Sequence, residues 1–146
     1  MISVFVYGTL LVGESNHQVA APFVLSVQPG LVRGRLYNVG SYPALVLIED
    51  GQKDAKDHFV VGEWLEVTDE GLKAMDILED YYGPGATNEY ERVWVRDVNG
   101  SREGWVYIWE DTTGLKEIES GSWKLHREQQ GRVSASDTIR NSFDEK

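Results

Sequence analysis

The stretch Val4-Phe-Val-Tyr-Gly-Thr-Leu-Leu-Val-Gly-Glu-Ser-Asn-His17 decides how the rest of the chain is read. Ile2 to Tyr7 is short, apolar and β-branched, so it reads as a buried strand stopped by Gly8. The loop that begins at Gly8 admits two readings. Gly8-Thr-Leu-Leu-Val-Gly13-Glu14-Ser15 has the glycine spacing of a phosphate-binding loop. Such a loop needs a Lys to reach the phosphates, and here Glu14 takes that place and would repel them. The strand–helix–strand alternation of a parallel nucleotide fold is missing as well. The second reading keeps the loop and drops the phosphate. Gly8 permits a sharp turn after the strand, and the amides of Gly8, Thr9 and Leu10 can face a cavity. Backbone amides so placed hold a carboxylate or a developing oxyanion. The same residues also fit a loop that merely ends a strand.

Working outward, Val24 to Val27 and Leu31 to Val39 read as strands broken at Pro29-Gly30. Residues 9–23 form a loop with one helical turn. Gly40 to Pro43 is a turn cluster, Ala44 to Ile48 a strand, Glu49 to Asp57 an exposed polar loop, and His58 to Val67 a strand. Thr68-Asp-Glu70 is a helix start, with Thr as cap and two acids at the positive end of the dipole. That helix is predicted to run to about Tyr81 and stop at Gly83-Pro84-Gly85. Tyr90 to Val98 and Ser101 to Trp109 flank Asn99-Gly100, the pair that favours a two-residue type I′ hairpin turn. Gly121 to Gln130 reads as a short helix. Interior glycines at Gly34, Gly62 and Gly104 suggest a curved sheet. The fold class is therefore α+β, a single small domain over residues 1–130 with a polar tail over 131–146.

The totals narrow the function. The chain has 146 residues, five Trp and seven Tyr, enough to form one sizeable core. A net charge of −10 argues against nucleic acid or an anionic membrane as partner. With no Cys there is no disulfide, thiol nucleophile or Cys-ligated zinc. The N-terminus lacks a signal-peptide pattern and no run is long enough to span a bilayer, so a cytoplasmic location is expected. His17, His58 and His126 show no metal-ligand spacing.

The helix carries the other candidate. At about 100° per residue, Leu72, Met75, Leu78 and Tyr82 share one apolar arc. Glu79 falls inside that arc, Asp76 at its edge, and Ile77 off it. A carboxylate on a core-facing stripe is costly unless paired. At a helix C-terminus the dipole also disfavours its charge, and both effects favour a raised pKa suited to acid–base work. The same position equally admits a structural Glu paired with Arg92 or Arg96. Asp76 and Glu79 together have a spacing common on solvated helix faces.

Taken together, the residues resemble the gamma-glutamylcyclotransferase-like family, in particular its gamma-glutamylamine cyclotransferase branch and small bacterial relatives. The resemblance rests on Val4 to Leu10 with Gly13 and Asn16-His17, on Gly34-Arg-Leu-Tyr37, Tyr42-Pro-Ala-Leu-Val46 and Gly62-Glu-Trp-Leu-Glu-Val67, on Met75-Asp-Ile-Leu-Glu79 with Tyr81-Tyr-Gly83, and on Tyr90-Glu-Arg92 and Trp105-Val-Tyr-Ile-Trp109. No single piece is specific; the ordered set is. The resemblance implies a curved, barrel-like mixed sheet with one main helix and a ligand cavity beside the Tyr-Gly-Thr-Leu loop. It implies release of 5-oxoproline and a free amine from a small-molecule γ-glutamyl substrate, without metal or cofactor. Glu79 matches the family's catalytic glutamate. Tyr7, Gly8, Thr9, Leu10 and Tyr90 are the expected substrate-binding residues. A protecting-group removal with a large leaving amine, or a non-catalytic binding module on the same fold, are the alternatives.

Overall fold

A computed structural model describes residues 1–48, 58–79, 81–83, 90–109 and 111–130. The expected loop over residues 49–57, the Pro84-Gly85 helix stop and the tail over 131–146 lie outside them. Among the described residues seven strands form one sheet: β1 (Ile2–Val6), β2 (Val24–Asn38), β3 (Pro43–Leu47), β4 (Phe59–Val67), β5 (Glu91–Arg96), β6 (Glu103–Ile108) and β7 (Lys116–Glu117). The order is β3-β2-β4-β1-β6-β5, with β7 added beside β2. β1 is parallel to β6 and every other pairing is antiparallel, so the sheet is mixed. Helix α1 (His17–Ala20) runs into a 3₁₀ turn (Ala21–Phe23). Helix α2 (Asp69–Leu78) follows β4, and residues 123–130 form helix α3.

β2 is continuous, where a break at Pro29-Gly30 was expected. Pro29 pairs with Glu63 and Gly30 with Gly62 in an unbroken ladder. The reason is an open flank. β3 takes only Gly34 to Asn38, so the earlier half of β2 has an edge on that side, where Pro costs no ladder bond. The two facing glycines are needed for space. A Cβ at Gly30 would lie 2.5 Å from Trp64 Cδ1, and one at Gly62 would lie 2.1 Å from Val6 O and 2.6 Å from Phe5 Cζ. The Phe5 and Trp64 rings occupy that space, edge to face at 5.3 Å. Both are fully buried with Val4, Leu36, Leu65 and Met75.

The sheet curls until its ends bond to one another. At one end the β5–β6 hairpin tip reaches β2. Val98 N–H donates to Leu31 O at 2.9 Å, and the Asp97 carboxylate accepts from Leu31 N–H at 3.0 Å. The same carboxylate accepts from Trp64 Nε1 at 2.9 Å and Asn99 N–H at 3.1 Å. At the other end Trp109 N–H donates to Leu45 O at 3.0 Å. The hairpin is present, but its turn is not the two-residue type expected. Asp97 N–H donates to Arg102 O, and Val98 turns away to β2 instead of pairing with Ser101. Asn99 bonds forward to Ser101 through its side chain.

Asp97 is the one buried charged residue among those described, 6% exposed. Burial pushes its carboxyl up. The bonds from Leu31, Trp64 and Asn99, with the charge of Arg102, outweigh burial and hold it below the ordinary Asp value. Its stabilisation is therefore complete above the unfolded value of about 3.9 and lost as pH falls through the lower folded value. Asp97→Asn is expected to lower the unfolding free energy by about 2–3 kcal/mol and to flatten the acid limb of stability below about pH 4. Denaturant titrations across pH check both. Gly62→Ala places its methyl against backbone that cannot swing away, and is expected to cost about 1–3 kcal/mol in the same assay.

Candidate functional site

Thr68 caps α2 as expected, its hydroxyl accepting from Gly71 N–H at 3.2 Å. The helix ends at Leu78, three residues before the expected Tyr81. Glu79 leaves the helix at its C-cap, with its N–H bonded to Met75 O at 3.0 Å. Tyr81 N–H reaches back to Asp76 O at 2.9 Å and closes the turn. This early end redirects the apolar arc. Met75 is buried, whereas Tyr82 is 72% exposed and Tyr81 takes the inner place. Ile77, off the arc, is 78% exposed.

The end of α2 faces the end of β1 across a cavity of about 260 Å³. Tyr7, Gly8, Thr9 and Leu10 line one side; Leu78 and Glu79 line another; Tyr42, Pro43, Tyr90 and Tyr107 complete the wall. Every sequence-predicted site residue therefore borders one space. The loop is held by its own residues. Leu11 N–H donates to Gly8 O, Asn16 N–H to Thr9 O, and Asn16 Nδ2 to Thr9 Oγ1. His17 Nδ1 lies 2.8 Å from Leu10 O. Among the described residues no protein acceptor takes the amides of Gly8, Thr9 or Leu10. Gly8 is required for a reason other than a left-handed turn. A Cβ there would lie 2.7 Å from Cδ and Cγ of Pro43. Glu14 does not face this cavity. It pairs with Arg127 on α3, which removes the phosphate-loop reading's repulsive residue to another surface.

The tyrosines are donors already committed to main-chain oxygens. Tyr7 OH donates to Tyr107 O at 2.5 Å, and Tyr90 OH to Pro43 O at 2.8 Å. Tyr90, Tyr42 and Trp109 pack as an aromatic cluster, Tyr42 stacked on Trp109 at 6.0 Å. Burial, and then the Glu79 charge, raise the Tyr7 phenol well above its ordinary value. Burial and the Asp76 contact, with Glu79 contributing, raise Tyr107 likewise. Both phenols stay protonated at any physiological pH.

Asp76, at the edge of the expected apolar arc, accepts from Tyr107 OH at 2.6 Å and from Arg92 at 2.6 Å. Arg92 lies between the rings of Tyr81 and Trp105, 4.9 and 4.7 Å from their centroids. Arg96, the other cation considered for Glu79, lies 3.6 Å from Glu103. The two helix carboxylates are thus treated differently. Asp76 is held by a cation and a phenol, and Glu79 borders the cavity. Tyr107, Ser41 and Asn16 border it too. The sequence offered no separate signal for Tyr107, whose place depends on β6 lying parallel to β1. Among the described residues there is no group of three or more His, Cys, Asp or Glu able to hold a metal. None of their helices is long and apolar enough to cross a membrane.

Such a fold and cavity define a small α+β domain whose cavity is bordered by a strand-end loop and a helix-end carboxylate. Comparison with known proteins makes the class specific. The family model for gamma-glutamyl cyclotransferase, AIG2-like, matches residues 4–125. A gamma-L-glutamyl-butirosin B gamma-glutamyl cyclotransferase from Niallia circulans is 37% identical over 131 residues, 87% of this chain and 78% of that one. An AIG2-like protein from Mus musculus superposes with a TM-score of 0.57 at 27% identity, over 82% of this chain and 86% of the other. YkqA from Bacillus subtilis shares the fold at a TM-score of 0.68 and 22% identity; the match covers 90% of this chain and 42% of YkqA. The chain belongs to the gamma-glutamyl cyclotransferase, AIG2-like family.

Arg92 lays its flat guanidinium over the Tyr81 and Trp105 rings and donates one bond from Nη1 to Asp76. Arg92→Lys keeps the charge and loses the plane, so it is expected to cost about 1–2 kcal/mol. Chemical denaturation of the two proteins side by side measures this.

Proposed function

We propose that this chain is a γ-glutamyl cyclotransferase that converts a γ-glutamyl amide to 5-oxoproline and a free amine, with Glu79 as the proton-transfer group. The observation that carries the reading is the placement of Glu79 on the wall of the cavity lined by the unpartnered loop of Gly8, Thr9 and Leu10. Family membership supports the reaction class.

The substrate brings its own nucleophile. Its α-amine attacks the γ-carbonyl carbon and closes a five-membered ring, so no Ser or Cys nucleophile is needed. Holding the two ends in contact supplies up to roughly 7–11 kcal/mol of the barrier. As the new C–N bond forms, the amine proton passes to Glu79 and the carbonyl oxygen becomes an oxyanion. Loop amides stabilise that oxyanion or hold the α-carboxylate. The intermediate collapses when Glu79 returns the proton to the leaving nitrogen and the old C–N bond breaks. Tyr7, protonated and bonded to Tyr107 O, forms a fixed wall against which the glutamyl chain folds back. Asp76, held by Arg92 and Tyr107, leaves Glu79 to carry the proton.

Glu79→Gln keeps shape and loses the proton carrier. Its kcat/KM for 5-oxoproline release is expected to fall by about 10²–10⁴-fold. A panel of γ-glutamyl amides, with 5-oxoproline followed by chromatography, measures it. Circular dichroism of the variant confirms that the fold is kept. A variant as active as the parent would falsify the role of Glu79. No 5-oxoproline from the parent with any donor would leave a binding module on this fold.

A further inference from the structure

Among the described residues that line the cavity beside α2, Glu79 alone carries a charge. The nearest acid before it in the chain is Asp76, on the last turn of the same helix. The Glu79 N–H still bonds to Met75 O, so helical spacing holds up to that residue, and side chains three positions apart on a helix are neighbours. Tyr107 joins the two acids. Its hydroxyl donates to Asp76, it borders the cavity with Glu79, and the charges of both acids act on it. The other titratable groups around the end of α2 are few. Tyr7 and Tyr90 border the cavity, and α1 packs on α2 and brings His17, whose Nδ1 lies against Leu10 O. On α2 itself Lys73 is exposed. β4 and the 3₁₀ turn meet the start of α2, where Gly71 packs on Val67 and Phe23. The β4 acids Glu63 and Glu66 accept from Val12 N–H and Ser26 O–H. Asp80 lies outside the described residues. From β5 comes Arg92, and it meets α2 at Asp76.

We propose that Arg92 is a positioning residue for the proton transfer: it lies off the cavity wall and, by cancelling the charge of Asp76, keeps Glu79 ionised and able to act as a base. The inference rests on reading Glu79 as the proton-transfer group. Two carboxylates this close in a partly buried place disfavour each other's charge, and one of them tends to hold a proton. A Glu79 that begins the reaction protonated cannot accept the proton of the attacking amine. Arg92 removes the conflict at Asp76, and it does so without bringing a cation into the cavity, where it would pair with Glu79 itself. The carboxylate of Asp76 is also fixed. Its Oδ1 accepts from Tyr107 and its Oδ2 from Arg92, so both oxygens are held. The surroundings of the pair fit an electrostatic role better than a stabilising one. The Arg92 and Asp76 side chains are only 17% and 21% exposed. The rings of Tyr81 and Trp105 enclose the guanidinium, and its buried Nε has no acceptor among the described residues. Ion pairs so enclosed add little net stability over apolar side chains of the same shape.

The test follows the ionisation of Glu79 directly, and the reaction beside it. The full chain is isotope-labelled at the glutamate side-chain carboxyl and titrated by NMR, with Glu79→Gln assigning the resonance. Arg92→Met keeps the stem between the rings and leaves Asp76 charged. Its Glu79 midpoint is expected to rise by at least about half a pH unit. Asp76→Asn leaves Arg92 without its counter-charge, and the midpoint is expected to fall by about as much. Asp76→Asn combined with Arg92→Met removes both charges and should return the midpoint close to that of the parent. Arg92→Lys keeps the charge and should hold the midpoint there, although its stability falls. Lost packing alone does not produce shifts of opposite sign that cancel in the double variant. Asp76→Asn, a neutral isostere, still decides the sign where Arg92→Met does not fold. The lower limb of kcat/KM against pH, read from 5-oxoproline release with a panel of γ-glutamyl amides, should move with these midpoints. Arg92→Met then loses about threefold or more on that limb, and Arg92→Lys recovers it. Midpoints unmoved, or moved the same way by Arg92→Met and Asp76→Asn, overturn the role of Arg92 while the cyclotransferase stands. Absence of 5-oxoproline from the parent removes the cyclotransferase reading and this role with it.

Discussion

The Asp97 carboxylate holds the curled sheet closed. It sits at the tip of the β5–β6 hairpin and binds three donors from three parts of the chain: Leu31 on β2, Trp64 on β4 and Asn99 in its own turn. A buried carboxylate is costly unless its lone pairs are filled, and here three N–H groups fill them. Once this end is fixed, β6 lies in place beside β1, and Tyr107 faces α2. The cavity is thus set by a contact at the hairpin tip, through the strands that join the two.

Within the site the same economy of charge recurs. Two carboxylates stand three residues apart near the end of one helix. Asp76 is neutralised by Arg92 and Tyr107, and Arg92 is itself enclosed by two rings. The phenols of Tyr7 and Tyr107 remain neutral donors, spent on Tyr107 O and Asp76. The loop of Gly8, Thr9 and Leu10 and the Glu79 residue border the cavity.

Much of this was legible in the sequence, because local pattern carried it. β1, the Thr68 cap, the hairpin and the approximate extent of α3 come from apolar runs, capping chemistry and turn residues. The helical arc singled out Glu79 before any cavity was seen. The features that failed to show depended on partners distant in sequence. Pro29-Gly30 reads as a break because its open edge is created by the short reach of β3. The turn at Asn99-Gly100 is reshaped because Val98 gives its amide to Leu31. Tyr82 looked inward only for as long as the helix was taken to continue, and the helix stops at Leu78. Gly8 was read as allowing a sharp turn, and the chain does bend there; the sequence did not show the close approach of Pro43 that also requires glycine. Asp76, at the edge of the arc, gave no sign of its partners, because Arg92 and Tyr107 are supplied by strands later in the chain.

The pairing of β1 has a bearing on how the chain is made. β1 precedes the other described strands in the chain, yet it is central in the sheet. Its neighbours are Glu63 to Val67 on one side and Trp105-Val106 on the other. Until β6 has been synthesised, one edge of this apolar strand has no partner, and a bare β edge is a template for pairing with another chain. Synthesis runs at about 5–20 residues per second, so that interval lasts several seconds. The cavity assembles only at its end, since Tyr107, which lines it, belongs to β6, the last long strand among the described residues. Nascent chains of this protein therefore pass through a stage with the Gly8 loop complete and the Tyr107 wall of the cavity still inside the ribosome.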